Sequence, residues 1–474
     1  MLLTRRTQVL AKVQDVDGVA VSPSSSDGVL IYDPEYSEDT AYADRVPASA
    51  TLSRDNTPPG LVKGSLSFSS DFRGSGAIAT APEWGKLARA CGHREQNLVR
   101  LTLTGMSSTE RLQVGEIVQQ SSGAVRGICL TDLLGANGDI LVLPIVGTFT
   151  AAALVGESAA ATATVSAVDS TDEGWAYSPD SLRLVQWSSG AWAASTPSGV
   201  GVVLRIVRAG FDVGAVQVVQ LGTGSSWVAG VYGVLLWGTL ANGDVLTDAS
   251  GNAATLSATP TTPRTPCMTA NSNLDGLLRQ LVDARGDFTL EGAAGEPLVF
   301  RWNFTGRPVA HTAALPVTVT TLGTTRAPRL FGCFAGIGYG SQFYRLPVRQ
   351  VTIAPGNTLG VRQDVGSTGG YGGTLISNRK PKITIEVENV GLAFDWRTRM
   401  QSEQNVRLGI VLGGDGAGTW SGRTAGNTLA VAAPNCQVVS MSGGDADGIA
   451  TYTIDLEPRR ILEAGDDEYV LAMF

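Results

Sequence analysis

The sequence predicts a mainly β protein, with a host domain of sandwich or barrel type, one flanking helix and inserted small β modules that split the host. The first observation is composition, because 58 glycines and a charged fraction of 16% are typical of turn-rich β proteins, in which glycine supplies positive φ. The second is that several segments alternate apolar and polar residues, as half-buried strands do. The third is a central stretch poor in charge. A chain of 474 residues has the length of two or three domains.

The first part of the chain, residues 1–104, is predicted to contain one half of the host domain and an N-terminal arm. Ser-Pro and Asp-Gly pairs fall between Val21 and Gly28, and an acidic run follows from Asp33 to Asp44. Few large apolar residues occur here, so this part has little core of its own. We interpret it as an arm that becomes ordered on a neighbouring subunit, and the alternative is a flexible N-terminus.

A strand and the clearest helix of the sequence follow. Leu66, Phe68 and Phe72 alternate with serine and aspartate, which predicts a half-buried strand. Thr80 can cap a helix with Glu83 as its capping-box partner, and a glycine stop comes twelve residues later. An apolar stripe at helical spacing predicts that this helix packs on a sheet, and its members are Trp84, Leu87, Ala88 and Cys91.

These segments resemble the tail tube proteins of long-tailed bacteriophages. The similarity lies in the alternating strand, the Gly-Ser-Gly turn and the motif Thr80-Ala-Pro-x-Trp-Gly-x-Leu-x-Arg-Ala-Cys-Gly92. Segments similar to the family's opening, central hairpin and closing strands occur in the same order, at 3–13, 284–306, 444–452 and 465–468. These segments lie in the first and last parts of the chain, and the resemblance does not extend to its middle.

The resemblance implies a structural virion protein and not an enzyme, without cofactors. Its subunits would assemble into hexameric rings that stack into a tube through which double-stranded DNA passes without specific binding. The implied partners are further copies of the chain and the tape-measure, tail terminator and tail-tip proteins, with no membrane. The implied location is the virion tail, assembled in the cytoplasm of a bacterial host.

Residues 105–266 are predicted to be an inserted, β-rich decoration of one or two modules. A weak internal echo relates 134–140 to 240–245, and each copy contains an Asn-Gly pair that predicts a two-residue hairpin. The proline-rich segment 259–266 predicts a linker. The sequence leaves open whether 177–179 and 182–187 belong to the host. Five tryptophans in this region are interpreted as core residues, with an aromatic ligand-binding surface as the alternative, and they are Trp175, Trp187, Trp192, Trp227 and Trp237.

Residues 267–474 are predicted to complete the host domain. The apolar spacing over 274–284 favours a helix, although Asp275-Gly276 equally suits a hairpin turn. Strands are clearer at 298–304 and at 382–388. The residues predicted for the host core are Phe68, Phe72, Trp84, Leu87, Cys91, Phe300, Trp302, Phe304, Ile383, Ile385 and Val387. The opposite face of the second strand carries Lys382, Glu386 and Glu388, which we expect to face the lumen of the tube.

Neither charge nor motifs indicate catalysis or tight nucleic-acid binding. A net charge of −8 argues against a surface that grips phosphate, and a channel for DNA must contact the duplex without holding it. The five cysteines are widely spaced and predict no disulfide framework. His93 and His311 lack metal-ligand spacing, and Asp445-Ala-Asp447-Gly448 indicates a polar turn in preference to a calcium loop. The alternative function is a carbohydrate- or receptor-binding β protein of the virion surface, which the tryptophan-rich insertion motivates.

Overall fold

The fold is given by a computed structural model. It describes residues 7–14, 20–42, 59–107, 109–120, 123–135, 137–157, 161–180, 184–192, 202–220, 231–238, 240–257, 266–319, 325–366, 370–390, 394–462 and 465–474. Strands account for 59% of the structure and helices for 4%, so the prediction of a mainly β protein is confirmed. The chain forms two compact units, a host unit of Met1–Pro179 with Cys267–Phe474 and a second unit of Asp180–Pro266.

The host unit begins with four strands, one helix and a fifth strand. Their bounds are β1 (Thr7–Val13), β2 (Gly28–Val29), β3 (Tyr32–Tyr42), β4 (Pro59–Asp71), α1 (Gly85–Ala90) and β5 (His93–Asn97). The predicted capping box is wrong, because α1 starts only after Trp84 and the Glu83 carboxylate instead accepts two hydrogen bonds from the Arg73 guanidinium. Glu83 forms this largely buried ion pair with Arg73 instead of capping the helix. The residues of the predicted stripe are nevertheless all buried.

A closed six-stranded barrel follows, together with a two-stranded ribbon. The strands are β6 (Val99–Thr104), β7 (Arg111–Leu112), β8 (Ile117–Gln120), β9 (Val125–Cys129), β10 (Leu133–Leu134), β11 (Gly138–Val146), β12 (Ala153–Gly156) and β13 (Thr162–Asp169). The barrel runs β11-β6-β13-β12-β8-β9 and closes on β11, while β7 pairs with β10 in the ribbon. We call these residues the first barrel.

The first barrel is inserted into a hairpin of the host. Strand β14 (Trp175–Pro179) pairs with β5 so that Asn97 lies opposite Trp175. Both ends of the barrel lie between these two residues in the chain. Its first strand, β6, pairs with its last strand, β13, so that Arg100 lies opposite Asp169. Adjacent ends of this kind allow a domain to be inserted into a loop. The 177–179 segment therefore belongs to the host sheet.

The second unit is a six-stranded sheet whose edges nearly meet. Its strands are β15 (Leu184–Trp187), β16 (Val203–Arg208), β17 (Phe211–Gln220), β18 (Val231–Gly238), β19 (Val245–Thr247) and β20 (Ala253–Thr255). The order is β15-β18-β17-β16-β19-β20. A bridge between Ser189 and Leu256 joins the two edges. Strand 184–187 thus lies in the second unit.

The two barrels have the same strand pairings in a different chain order. If β11, β12, β13, β6, β8 and β9 are matched in turn with β15 to β20, five of the six antiparallel pairs of the first barrel have a strand pair as counterpart in the second unit. The remaining pair, β9 with β11, corresponds to the Ser189–Leu256 bridge. The barrels are therefore circular permutations of one topology.

The second half of the host contributes the longest strands. They are β21 (Met268–Leu274), β22 (Leu277–Ala293), β23 (Val299–Ala313), β24 (Phe334–Tyr339), β25 (Gln342–Tyr344), β26 (Val348–Ala354), β27 (Asn357–Gln363), β28 (Tyr371–Arg379), β29 (Lys382–Glu388), α2 (Trp396–Gln401), β30 (Val406–Leu412), β31 (Leu429–Ala446), β32 (Ile449–Pro458) and β33 (Val470–Met473). The favoured helix at 274–284 is wrong, because β21 and β22 form a hairpin whose turn residues Asp275 and Gly276 both have positive φ.

Most host strands form one branched sheet around the main core, and β27 pairs with β28 in a separate two-stranded sheet. Eight strands of the branched sheet run side by side in the order β3-β4-β23-β22-β26-β29-β32-β31. Beyond them, β22 also pairs with β21, and β31 also pairs with β30 and β33. All eleven residues predicted for the core lie in the main buried cluster. Burial of these apolar side chains is the main driving force for folding of the host unit.

The boundaries of the insertion differ from those read from the sequence. The prediction was one stretch, 105–266, whereas the structure contains a barrel that starts at Val99, a return to the host in β14, and then the second unit. Neither Asn-Gly pair joins two paired strands, because β10 pairs with β7 and β18 pairs with β15 and β17. The proposed linker, apart from Pro266, lies outside the described residues.

Candidate functional site

The outer face of the eight-stranded array is the candidate site, and we call it the polar face. One row of opposed residues crosses seven strands in register, and its members are Asp71, Val299, Glu291, Thr352, Thr384, Asp455 and Ser440. Along most of these strands the neighbouring residues point inward to the main core, as the two-residue period of a strand requires. In β31 the register shifts between Val438 and Ser440, and Val439 is exposed. One side of the array is therefore apolar and buried, and the other carries hydroxyl and charged groups.

Charges on the polar face are held in pairs. The Thr384 and Ser440 hydroxyls donate to Asp455 at 2.7 and 2.6 Å, and the Lys382 ammonium lies 3.0 Å from the same carboxylate. These partners lower the pKa of Asp455 against the opposing effect of its burial, which is the largest single influence. Further pairs join Glu291 to Arg301, Glu386 to Arg349 and Glu457 to Lys380. Such pairs present both signs of charge without a cluster of unpaired cations.

The three residues predicted to face the lumen all lie on the polar face. The Lys382 side chain is 52% exposed and that of Glu386 is 28% exposed. Glu388 is half-buried beside Thr451 of β32. Their partners on β32 were missed by the sequence analysis, although the alternation of Thr453, Asp455 and Glu457 could have indicated them.

A buried polar cluster lies where α1 ends. The ring of His93 contacts the Ala88 carbonyl through Nδ1 at 3.1 Å and the Tyr469 hydroxyl through Nε2 at 2.6 Å. Burial lowers the pKa of His93 to about 3. Burial also raises the pKa of the nearby Asp287 carboxyl to about 6 and keeps the Cys91 thiol far above its ordinary pKa. A neutral imidazole and a protonated thiol fill this cluster, so it has no activated thiolate.

No group of three or more metal-binding side chains comes together within the described residues. Asp445 and Gly448 form the tip of the β31–β32 hairpin, where the Gly448 N–H donates to the Asp445 carboxylate at 3.2 Å. The interpretation of this motif as a polar turn is confirmed. Neither helix of the described structure is long and apolar enough to cross a bilayer.

The tryptophans of the central region that the structure describes pack into cores. Trp187 is 2% exposed and Trp192 packs against the same cluster in the second unit. Trp175 packs partly buried against the main host core. Trp227 and the side chain of Trp237 lie outside the described part. The described rings therefore form no exposed aromatic surface.

A Gly-acid turn occurs in both barrels and was missed by the sequence analysis. In the first barrel Gly115 donates to the Cys129 carbonyl at 2.8 Å, and the Glu116 carboxylate accepts from the Gln113 N–H at 3.1 Å. In the second unit Gly243 donates to the Leu256 carbonyl at 3.2 Å, and the Asp244 carboxylate accepts from the Ala241 N–H at 2.7 Å. Alignment of 113–129 with 241–256 would have found this repeat.

Comparison with known proteins identifies no relative. No protein-family model matches the chain, and no curated protein matches it.

Proposed function

We propose that this protein is a structural subunit that self-assembles into a tube of the phage-tail type, in which the polar face lines a channel for double-stranded DNA. The subunits form stacked hexameric rings, and the tube lies in the virion tail. The ring, the hexamer and the partners, namely tape-measure, terminator and tip proteins, come from the sequence resemblance. The polar face is the observation that carries the proposal.

The chemistry of the polar face suits passage of DNA. Its carboxylates repel phosphate, and its paired cations are already neutralised by Asp455, Glu291 and Glu386. Binding to DNA requires clustered Lys and Arg that release counterions from the duplex. A face without such clusters lets the duplex slide. The serine and threonine hydroxyls between the charges keep the surface hydrated.

The host unit also has an open strand edge that suits self-assembly. Within the described residues β3 pairs with β4 on one side only. Exposed strand edges readily pair with another chain unless they are blocked. The described tryptophans do not support the carbohydrate-binding alternative, because their rings pack in or against hydrophobic cores.

Electron microscopy of the purified full chain over a range of concentrations tests the proposal. We expect rings or tubes with six-fold symmetry, and light scattering after size exclusion should show a mass of about six subunits for the smallest ring. Dispersed monomers at high concentration, with an intact β-type circular dichroism spectrum, would contradict the proposal.

A further inference from the structure

A groove lies within the host unit between the first barrel and the loop that follows β30, and we call it the barrel groove. The β7–β10 ribbon forms one wall and residues 417–421 form the other, enclosing about 730 Å³. The Asp132 N–H donates to the Gly418 carbonyl at 2.7 Å, which joins the two walls. Pockets of this size accommodate small organic ligands.

The base of the groove is rigid and electrically neutral. Asp132 is buried, and its carboxylate accepts from Arg111 Nε at 2.8 Å and Arg111 Nη2 at 2.7 Å. The Arg111 guanidinium also lies over the stacked rings of Phe334 and Phe343. A bidentate pair of this kind fixes both side chains. The charge of Arg111 is thus already compensated.

Arg345 supplies an available positive charge on the wall. Its side chain is exposed, and its guanidinium lies 4.7 Å from the centre of the Phe334 ring. Among the described residues no carboxylate forms an ion pair with it, and its hydrogen bond to the Ala417 carbonyl is long at 3.5 Å. A guanidinium held on an aromatic ring presents its remaining N–H groups to a carboxylate in a fixed geometry.

Hydroxyl and amide groups surround this charge. The hydroxyls of Thr419 and Ser421 lie 3.3 Å apart. The Asn137 side-chain oxygen accepts from the Gly105 N–H. The amide N–H groups of Asn137 have no hydrogen-bond acceptor among the described residues. Asp139 accepts one hydrogen bond, from Thr102, and has further acceptor capacity. Trp420 is 6% exposed and covered by Arg423, so a ligand cannot stack on its ring.

We propose that the barrel groove binds an acidic saccharide of one or two rings. The sugar carboxylate pairs with Arg345, and its hydroxyls exchange hydrogen bonds with Asn137, Asp139, Thr419 and Ser421. Arg345 lies in a lining of hydroxyl and amide donors with one carboxylate acceptor, Asp139, and this set matches a sugar that has one carboxylate and several hydroxyls. A simple anion would leave these donors and acceptors unused. This binding does not depend on tube formation.

Calorimetric titration of the full chain tests the proposal with galacturonate and digalacturonate, and with galactose and galactobiose as the neutral counterparts. We expect at least one acidic probe to bind and its neutral counterpart to bind at least about tenfold more weakly, because a charge-assisted hydrogen bond is lost. Arg345→Ala should lose at least about tenfold in affinity, and Asn137→Ala should lose about threefold or more. Arg362→Ala, a change of an exposed arginine in β27, is the matched control and should retain affinity.

Three results would overturn the proposal. The first is absence of binding by both acidic probes up to about 10 mM, a concentration about tenfold above the Kd of a weak, millimolar site. The second is equal affinity for acidic and neutral probes, or for inorganic phosphate, because the groove would then not select an acidic sugar. The third is unchanged affinity in Arg345→Ala with the melting temperature of the parent. If that variant unfolds, Arg345→Gln, which keeps the side-chain length, takes its place.

Discussion

Two buried titratable residues near the end of α1 respond to acid in opposite directions. The folded protein keeps His93 neutral, with a pKa near 3, whereas an unfolded chain protonates it near 6.5. As pH falls from about 6.5, the unfolded state therefore binds a proton that the folded state does not bind, and the free energy of unfolding decreases. Asp287 has a folded pKa near 6 against an ordinary 3.8. Its folded form takes up the proton first, so it adds stability as pH falls from about 6.

Replacing His93 should reveal its share of this response. His93→Gln can keep a hydrogen bond to Tyr469 but cannot titrate, so its unfolding free energy should fall less with acid than that of the parent. Each proton is worth about 1.4 kcal/mol per pH unit, so the two should converge by about 2 kcal/mol between pH 6.5 and 5. Urea unfolding at both pH values measures this. Equal slopes in the variant and the parent would contradict the prediction.

The Gly-acid turn of the second unit offers a second test. The Asp244 side chain is almost fully buried and accepts two hydrogen bonds from Arg208, at 2.7 and 2.9 Å, and one from Ala241. The Arg208 hydrogen bonds are the main reason that the pKa of Asp244 is lowered. Asp244→Asn should cost about 1–3 kcal/mol, because the buried side chain at this position then loses its charge-assisted hydrogen bonds with Arg208.

Hydrogen exchange of β16 and β19 in the full chain measures this cost as a fall in amide protection of about tenfold or more. The matched control is Asp212→Asn, whose pair with Arg205 joins side chains 47% and 58% exposed. An exposed pair contributes about 0–1 kcal/mol, so protection should fall less than about fivefold. Equal effects of both substitutions would show that burial of Asp244 is not what matters.

At the residue scale the sequence predicted the apolar core and missed the buried polar partners. Phe300, Trp302 and Phe304 alternate along one strand, and alternation alone identifies the buried face. The pairing of Glu83 with Arg73, by contrast, depends on how the Gly-Ser-Gly turn folds back. A short motif cannot distinguish a cap from an ion pair, because both use the same carboxylate. Tertiary geometry decides between them.

At the scale of elements, the two barrels differ in how they attach to a core. Residues of the first barrel share a buried cluster with host strands, and the barrel members are Leu98, Val114, Ile128, Leu130, Leu141 and Leu143. The described core of the second unit is a cluster of its own. The first barrel is therefore part of the host's hydrophobic core, and the second unit is a candidate for independent folding.

Two deletions should separate these roles. Replacing 181–265 with a Gly-Ser linker of about 20 residues, which spans about 25 Å, should leave the host folded. Replacing 98–174 with Asn-Gly keeps the β5–β14 hairpin but uncovers Phe334, Val411, Val470 and Phe474. Each buried side chain of this size contributes about 1.5–3 kcal/mol, so this variant should aggregate or melt at a much lower temperature. Size exclusion and thermal unfolding compare the two, and equal stability would contradict the prediction.

The sequence could predict single strands but not the order of the barrels. The Asn-Gly pairs suggested hairpins because local turn chemistry is the strongest short-range signal. In both barrels, however, the strand after the Asn-Gly pair bonds to strands distant in sequence, Ile140 to Leu101 in one and Leu246 to Ile206 in the other. Local patterns carry no information about such distant partners. The helix favoured at 274–284 was wrong for a related reason, since leucine spacing suits both a helix and a twisted strand pair, and the structure has the hairpin.

At the scale of the whole molecule, the polar face is the feature that assembly would repeat around an axis. If it lines a channel, its charge pattern is repeated in every subunit. A small change of charge in one subunit then becomes a large change in the total electrostatic interaction with the duplex. In such a channel, pairing of the cations within each subunit would keep the summed charge from binding DNA tightly. The proposal therefore predicts a strong effect on transport from changes that leave folding intact.

Glu386→Lys with Glu388→Lys should allow tubes to form but slow DNA release. The Glu386 and Arg349 side chains are half-buried and their charged atoms lie 3.8 Å apart, so loss of this loose pair should change stability by less than about 1 kcal/mol per site. The added lysines create unpaired cations that bind phosphate, and release should become slower at low salt and recover as salt rises. Time-resolved dye uptake on ejection measures the rate. Glu386→Gln with Glu388→Gln is the control that removes charge without adding cations, and unchanged kinetics at low salt in the lysine variant would place this strand outside the channel.

The insertion of the first barrel between β5 and β14 also has a kinetic consequence. Closing a flexible loop of about 80 residues costs about 4 kcal/mol of chain entropy. A folded barrel holds Arg100 opposite Asp169, and this brings Asn97 and Trp175 together before they pair. The barrel therefore acts as an intramolecular clamp, and its formation should precede closure of the host sheet. During synthesis the ribosome releases the barrel before β33, which completes the neighbouring ladder with β14, so the order of translation matches the order that chain entropy favours.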